Sequence, residues 1–277
     1  MLKGLLGGRT KRAAAESRAP RGGAAQIGWL LTNEKASIVY YPPERVRSVE
    51  ANKRHAKSAS RCPALITLES RYFIIRCPFD LHLRFMRNKE GKPGVRNMLG
   101  EASPVRSSML NNIIVMTNEV EWRYPDRPTL QVLLPYVFIA DEPVWMSQVD
   151  AFMDYRAAPI PGTIFAGRFP VHIWPRPLMW AFEWWEPEKD LILKRGEPWF
   201  YVTFETMSPE RPLKMVEAEK TPELDLYMKR IGGAVNYVNQ TFSLFKEAEK
   251  RRPERLLSPV VPGESRLKFD RGGDLDS

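Results

Sequence analysis

The chain has 277 residues, 43% of them hydrophobic and 11% aromatic, a composition that excludes wholesale disorder and suits one large β-rich domain. Its formal charge is +9, and residues 1–61 hold all of it, with thirteen Lys/Arg against four Glu, while the remainder carries 29 of each sign. No apolar run approaches the roughly eighteen residues that a membrane-spanning helix requires.

Residues 1–25 combine Gly, Ala and Arg without apolar periodicity, which predicts a disordered basic leader. The first residues lack the apolar centre of a secretory signal, so the expected location is the cytoplasm. Ile27 to Tyr41 reads as an opening strand or hairpin around the turn-like Thr32 to Lys35. Glu44 to Arg61 is charged, with Val46 and Val49 among few apolar residues, and predicts at best a one-sided surface helix. The two cysteines, Cys62 and Cys77, lack the spacing of a zinc site and read as buried thiols.

From Cys62 onward, short runs rich in Ile, Val, Phe, Tyr and Trp are broken by Pro, Gly, Asn and Asp, the pattern of antiparallel strands. The expected strands are 72–76, 81–86, 113–116, 130–140, 144–146, 162–165, 171–174, 179–184, 190–193, 199–205 and 213–217. Asn88 to Asn111, with Gly91, Pro93, Gly94, Gly100 and Pro104, reads as one long loop. Leu191 to Phe204 predicts a hairpin turning at Gly196. That turn resembles the Gly-centred strand pair of β-clip proteins, whose other motifs are missing here.

After Thr221-Pro222-Glu223, apolar residues fall at Leu224, Tyr227, Ile231, Val235, Val238, Phe242 and Phe245, one continuous helical stripe. The pair Gly232-Gly233 inside it costs about 2 kcal/mol relative to alanine, which predicts a kink or a close backbone approach. The fold class that follows is mainly β (α+β), an antiparallel β-sandwich or distorted barrel with one long C-terminal amphipathic helix. Residues 26–252 form a single domain with the helix at 222–252, and residues 253–277 form a disordered polar tail.

Chemistry is first bounded by what is missing. There is no GxGxxG, no GxxxxGK[ST] and no GxSxG, so the phosphate-cradling loop and the serine elbow are absent as sequence words. His55, His82 and His172 never fall in the spacings of a metal centre, and neither metal nor cofactor is expected. One region stands out: five of the eight tryptophans fall between Trp174 and Trp199. With a period of two, Trp180, Phe182 and Trp184 share one face of a strand, and Ala181, Glu183 and Trp185 the other. The candidate ligand-binding residues are Trp145, Trp174, Arg176, Trp180, Glu183 and Arg195, aromatic walls with charged groups to orient a ring, sugar or base. The competing reading makes the tryptophans a core sheet beneath the C-terminal helix, and that reading carries more weight.

The order Cys62-Pro63, Tyr72 to Asp80, Asp141 to Trp145, the Trp174–Trp184 block and Leu193 to Pro198 resembles uncharacterised hypothetical proteins of tailed phages and environmental bacteria. The likeness spans residues 27–250, brings no activity with it and implies a phage or prophage origin. The expected function is a non-catalytic ligand-binding or assembly protein. The rivals are a β-rich enzyme acting on a sugar or nucleotide, and a nucleic-acid binder working through residues 1–61. A small molecule, a protein partner and a second copy of the chain are the candidate partners.

Overall fold

The computed structural model describes residues 23–32, 39–47, 58, 61–154, 159–234 and 241–261. Among them, fifteen strands and four α-helices follow one another along the chain. The first half holds β1 (Ala25–Leu31), β2 (Glu44–Arg45), α1 (Pro63–Glu69), β3 (Tyr72–Arg76), β4 (Leu81–Arg87), β5 (Pro93–Asn97), α2 (Ser107–Ile113), β6 (Ile114–Met116), β7 (Thr129–Leu133) and β8 (Tyr136–Ile139). The second holds β9 (Val144–Asp150), β10 (Gly162–Ile164), β11 (Arg168–Pro170), β12 (Met179–Trp184), β13 (Leu191–Leu193), β14 (Pro198–Thr206), β15 (Leu213–Glu217), α3 (Pro222–Ala234) and α4 (Thr241–Arg251). The chain is mainly β, and no described helix is long and apolar enough to cross a membrane.

The strands form four sheets, ordered β15-β1-β8, β10-β12-β7-β6, β11-β9-β14-β3-β2 and β13-β4-β5. All pairs are antiparallel except β1 with β15. Among the described residues no sheet closes, so the expected barrel alternative is not what forms. One core joins all four sheets, gathering Ile27, Phe73, Leu83, Leu130, Phe138, Met146, Trp180, Val202 and Phe204. The opposite face of the β15-β1-β8 sheet carries Leu30, Val137 and Ile139 into a second core with Trp174, Leu224, Tyr227, Ile231 and Leu256. Period-two alternation along β1 and β8 therefore feeds two cores from one sheet.

Several expectations change in detail. β1 lies between β15 and β8, so it is a central strand and not half of a hairpin with the residues near Tyr40. Residues 33–38, most of the expected turn, lie outside the described residues, as do 1–22, 48–57, 59–60 and 262–277. Glu44 and Arg45 pair with β3 as a short strand where a surface helix was expected. Cys62 is exposed at the start of α1, while Cys77 is buried. The expected loop at 88–111 contains β5 and the first part of α2, because β5 pairs with β4 and Leu110 enters the core. Leu130 to Ala140 divides into β7 and β8, which belong to different sheets, and Val171 to Trp174 is a turn closed onto Pro170.

The expected 191–204 hairpin is a corner. β13 pairs with β4 and β14 with β3, so two strands run side by side out of one sheet and into another. At the bend, Cys77 N donates to Glu197 O and Gly196 N to Cys77 O, both at 2.9 Å, and Gly196 has φ +81°. Only glycine adopts that backbone without strain.

The C-terminal helix also departs from expectation. Tyr227 Oη lies 2.7 Å from Ile173 O and 3.0 Å from Ala248 O, sharing its proton between the two carbonyls. A straight helix would hold residues 227 and 248 roughly 31 Å apart, so α3 and α4 fold back on one another. A Cβ at Gly232 would meet open space, so the glycine pair weakens the helix near the end of α3 and makes no close approach at Gly232. Val235 and Val238 of the stripe lie outside the described residues.

Residues 253–261, expected as tail, are held against the body. Leu256 and Leu257 are buried, and their N–H groups donate to Asp141 Oδ1 at 2.7 and 3.1 Å. Arg252 donates to the carbonyls of His172, Pro253, Glu254, Ala140 and Asp141, joining the end of α4 to the start of β9. Gly28 is needed beneath this strap, since a Cβ there would come within 2.4 Å of Leu257 Cδ1. Arg252→Met leaves those carbonyls short of donors and is expected to lower unfolding free energy by about 2–4 kcal/mol. Hydrogen exchange checks it: α4 amides should lose protection while β7 and β12 keep theirs, and equal protection throughout would remove Arg252 from this role.

Candidate functional site

The site grows from the two faces of β12. Trp180, Phe182 and Trp184 are fully buried on its inner face, with Trp180 stacked on Phe182 at 5.0 Å and an interplanar angle of 11°. A register shift between Pro198 and Phe200 lets Trp199 and Phe200 both enter the core, and Trp199 lies 5.1 Å from Trp180. Trp180 is thus packed among core rings.

The outer face of β12 is different. Glu183 is 3% exposed, covered by charged and aromatic groups. Trp185 Nε1 donates to Glu183 Oε1 at 2.9 Å, Arg127 Nη1 lies 3.4 Å from the same oxygen, and Arg123 Nε lies 3.7 Å from Oε2. The Arg127 guanidinium sits 4.4 Å over the Tyr124 ring and 5.7 Å from the Trp185 ring, and Arg123 sits 4.5 Å over Phe165. Tyr124, Phe165 and Trp185 are each 43–52% exposed. Two arginines and three half-open rings therefore surround one buried carboxylate.

Local structure fixes this cluster on three sides. Trp122 is buried and donates Nε1 to Thr117 O at 3.1 Å, while Trp184 N donates to Pro128 O at 2.9 Å, so the 123–127 segment is held at both ends. Arg127 N closes a turn onto Tyr124 O, bringing both side chains to one side. Phe165 follows β10, whose Gly162 lies opposite Trp184. A Cβ at Gly162 would come 2.1 Å from the Glu183 carbonyl oxygen, so only glycine lets β10 approach. The carboxylate–arginine separations are long, and both arginines keep part of their surface in solvent while Glu183 is buried. Among the described residues, Glu183 is the carboxylate within ion-pair distance of both guanidiniums.

The six residues expected at a site are not gathered. Glu183 belongs to the arginine–aromatic cluster, and Trp180 lies behind it in the core. Trp174 is in the second core, 5.6 Å from Phe245. Trp145 lies on β9 beneath the Arg168 guanidinium, 5.1 Å away, and beside His172. Arg195 is at the β13–β14 corner, its N–H on Asp80 Oδ1 and its Nε 3.3 Å from Tyr41 Oη. Arg176 is exposed between Trp174 and β12. Arg123, Tyr124, Arg127 and Phe165 are not among the candidates that the sequence offers, although Glu121-Trp122-Arg123-Tyr124-Pro125-Asp126-Arg127 interleaves rings and guanidiniums.

Among the described residues, no three His, Cys, Asp or Glu side chains come together as a metal-binding group. His172 is half-buried beside the backbone of Val144, and its pKa is lowered chiefly by that burial. His82 Nε2 lies 2.7 Å from Asp190 Oδ2, and Arg84 reaches both Asp190 oxygens at 2.8 Å. No known protein-family model matches the chain, and no curated protein matches it.

The Arg84 hydrogen bonds, followed by that of His82, hold Asp190 down to about 2. A carboxylate depressed in the fold stabilises above its ordinary pKa near 4, and that contribution is lost as pH falls from about 4 to 2. Asp190→Asn should cost about 1–2 kcal/mol at neutral pH, and the difference from the unaltered protein should vanish by about pH 2. Urea unfolding across that window tests it; a pH-independent difference would exclude the linkage.

Proposed function

We propose that this is a non-catalytic binding protein whose recognition surface is the arginine–aromatic cluster over Glu183. The observation that carries the reading is the gathering of Tyr124, Phe165 and Trp185, all partly open, with Arg123 and Arg127 around a buried carboxylate. Tryptophan, tyrosine and arginine dominate binding hot spots because they combine large contact area with directional donors. A general acid or base must touch its substrate; Glu183 instead faces Trp185, Arg127 and Arg123, which favours binding over acid–base work. In the same reading the sheets form a β-sandwich around the shared core, the protein works in the cytoplasm, and assembly in a phage setting is one use of such a surface.

The test is a fluorescence titration of the full chain with a dinucleotide, an oligosaccharide and an aromatic peptide. Saturable quenching by at least one probe is expected, lost in Trp185→Ala with an unchanged circular dichroism spectrum. No saturable change with any probe, or turnover of a probe that Glu183→Gln abolishes, would overturn the reading.

A further inference from the structure

Residues 222–251 carry the pattern of one helix and the structure of two. Leu224, Tyr227, Ile231, Val235, Val238, Phe242 and Phe245 are spaced 3, 4, 4, 3, 4 and 3 residues apart, the stripe of an unbroken amphipathic helix. In the structure α3 ends at Ala234, α4 begins at Thr241, and Tyr227 Oη reaches back to Ala248 O. The residues best suited to a turn are not used for one, because Gly232 and Gly233 lie inside α3. The junction at 235–240 reads Val-Asn-Tyr-Val-Asn-Gln, with neither glycine nor proline to oppose a helix.

Beyond the junction, α4 and the strap meet the body through contacts that do not depend on it. Ala248, Leu256 and Leu257 fill the second core, and Phe245 packs on Trp174. Arg252 donates to the carbonyls of His172, Ala140 and Asp141, and Asp141 Oδ1 accepts from Leu256 and Leu257. Glu219 N donates to Ser258 O at 2.8 Å and Val260 N to Glu217 O at 2.9 Å, so the strap also pairs with the chain leaving β15. None of these contacts requires its two sides to belong to one molecule. From this we infer that two copies of the chain exchange residues 241–261. In the pair the junction runs on as helix, and the α4 and strap of each copy close the second core of the other.

A straight helix carries residue 248 roughly 31 Å from Tyr227 along its axis, so each body then lacks Ala248, Leu256 and Leu257 in its second core. A second copy is the fitting occupant because the acceptor is shaped to these residues: a Cβ at Gly28 would come within 2.4 Å of Leu257 Cδ1, and Asp141 takes two strap amides. Exchange keeps each of these contacts and changes only the junction. The continuous stripe favours the straight form, and the entropy of association favours the closed single chain, so concentration decides between them. No residue of the Glu183 cluster takes part, and the inference stands apart from the binding reading.

The experiment refolds the full chain over a range of concentrations and measures its mass by sedimentation. A dimer that grows with concentration is expected. Two variants act between the helices and outside both of them. Asn236→Ala with Asn239→Ala raises helix propensity there and should lower the dimer dissociation constant about tenfold or more. Val238→Pro breaks a continuous helix and should raise it about a hundredfold or more. Exchange is separated from side-by-side pairing by refolding Asp141→Ala and Arg252→Met chains together. In an exchanged pair the intact Asp141 of one copy meets the intact Arg252 and strap of the other. The Leu256 and Leu257 amides of the Asp141→Ala chain should then regain the slow hydrogen exchange that they lack in either variant alone. A single chain at every concentration even with both Asn→Ala changes, a dimer that Val238→Pro leaves as tight, or no recovery of protection in the mixture would overturn the inference. If Val238→Pro does not fold, the Asn→Ala variant and the mixture decide it.

Discussion

The structure depends on the parity of one strand. Trp180, Phe182 and Trp184 are too large and apolar to face water, and burying all three on one side of β12 fixes which way every other residue of that strand points. Glu183 and Trp185 are turned outward by the same stroke. A slip of one residue would exchange the faces, placing a carboxylate in an aromatic core and three large rings on the surface. Register, core and candidate site are thus one constraint.

The remaining sheets organise around that stripe. Trp199 reaches it through the irregularity at the start of β14, and Phe85 of β4 lies 6.3 Å from Trp184, so strands from other sheets close on the same rings. The bent ribbon of β3–β4 with β13–β14 makes that geometry reachable, because it delivers one strand pair to two sheets. On the far side, the β15-β1-β8 sheet presents its second face to α3, α4 and the strap at Leu256 and Leu257. The strap is hydrogen-bonded and not merely apolar, which accounts for the concentration of donors and acceptors at Arg252 and Asp141.

Much of this was legible in the residues. Strand positions and the two faces of Met179 to Trp184 follow from period-two alternation, which acts locally. Three things were not legible, each for a physical reason. The 191–204 turn contains the right glycine for a hairpin, yet whether its strands pair with each other or with β4 and β3 depends on partners a hundred residues away. The Leu224–Phe245 stripe suits one long helix as well as two that fold back, and the Tyr227–Ala248 contact and the core that α3 and α4 share separate them. The site needed the pairing of β7 with β12 and of β12 with β10, which brings Arg123, Arg127 and Phe165 to Glu183 from segments that sequence spacing cannot connect. The tryptophan block marks the right strand, but Trp180 and Trp184 are buried inside, and Glu183 and Trp185 stand on its other face.

The most direct measurement of this parity compares two neighbouring tryptophans by equilibrium unfolding in denaturant. Trp180→Ala should cost about 3–5 kcal/mol, as expected for removing a fully buried ring, whereas Trp185→Ala should cost about 1–2 kcal/mol, chiefly for the donor that Glu183 loses. Equal costs, or a greater cost at Trp185, would contradict the assignment of the faces of β12 and with it the account of core and site together.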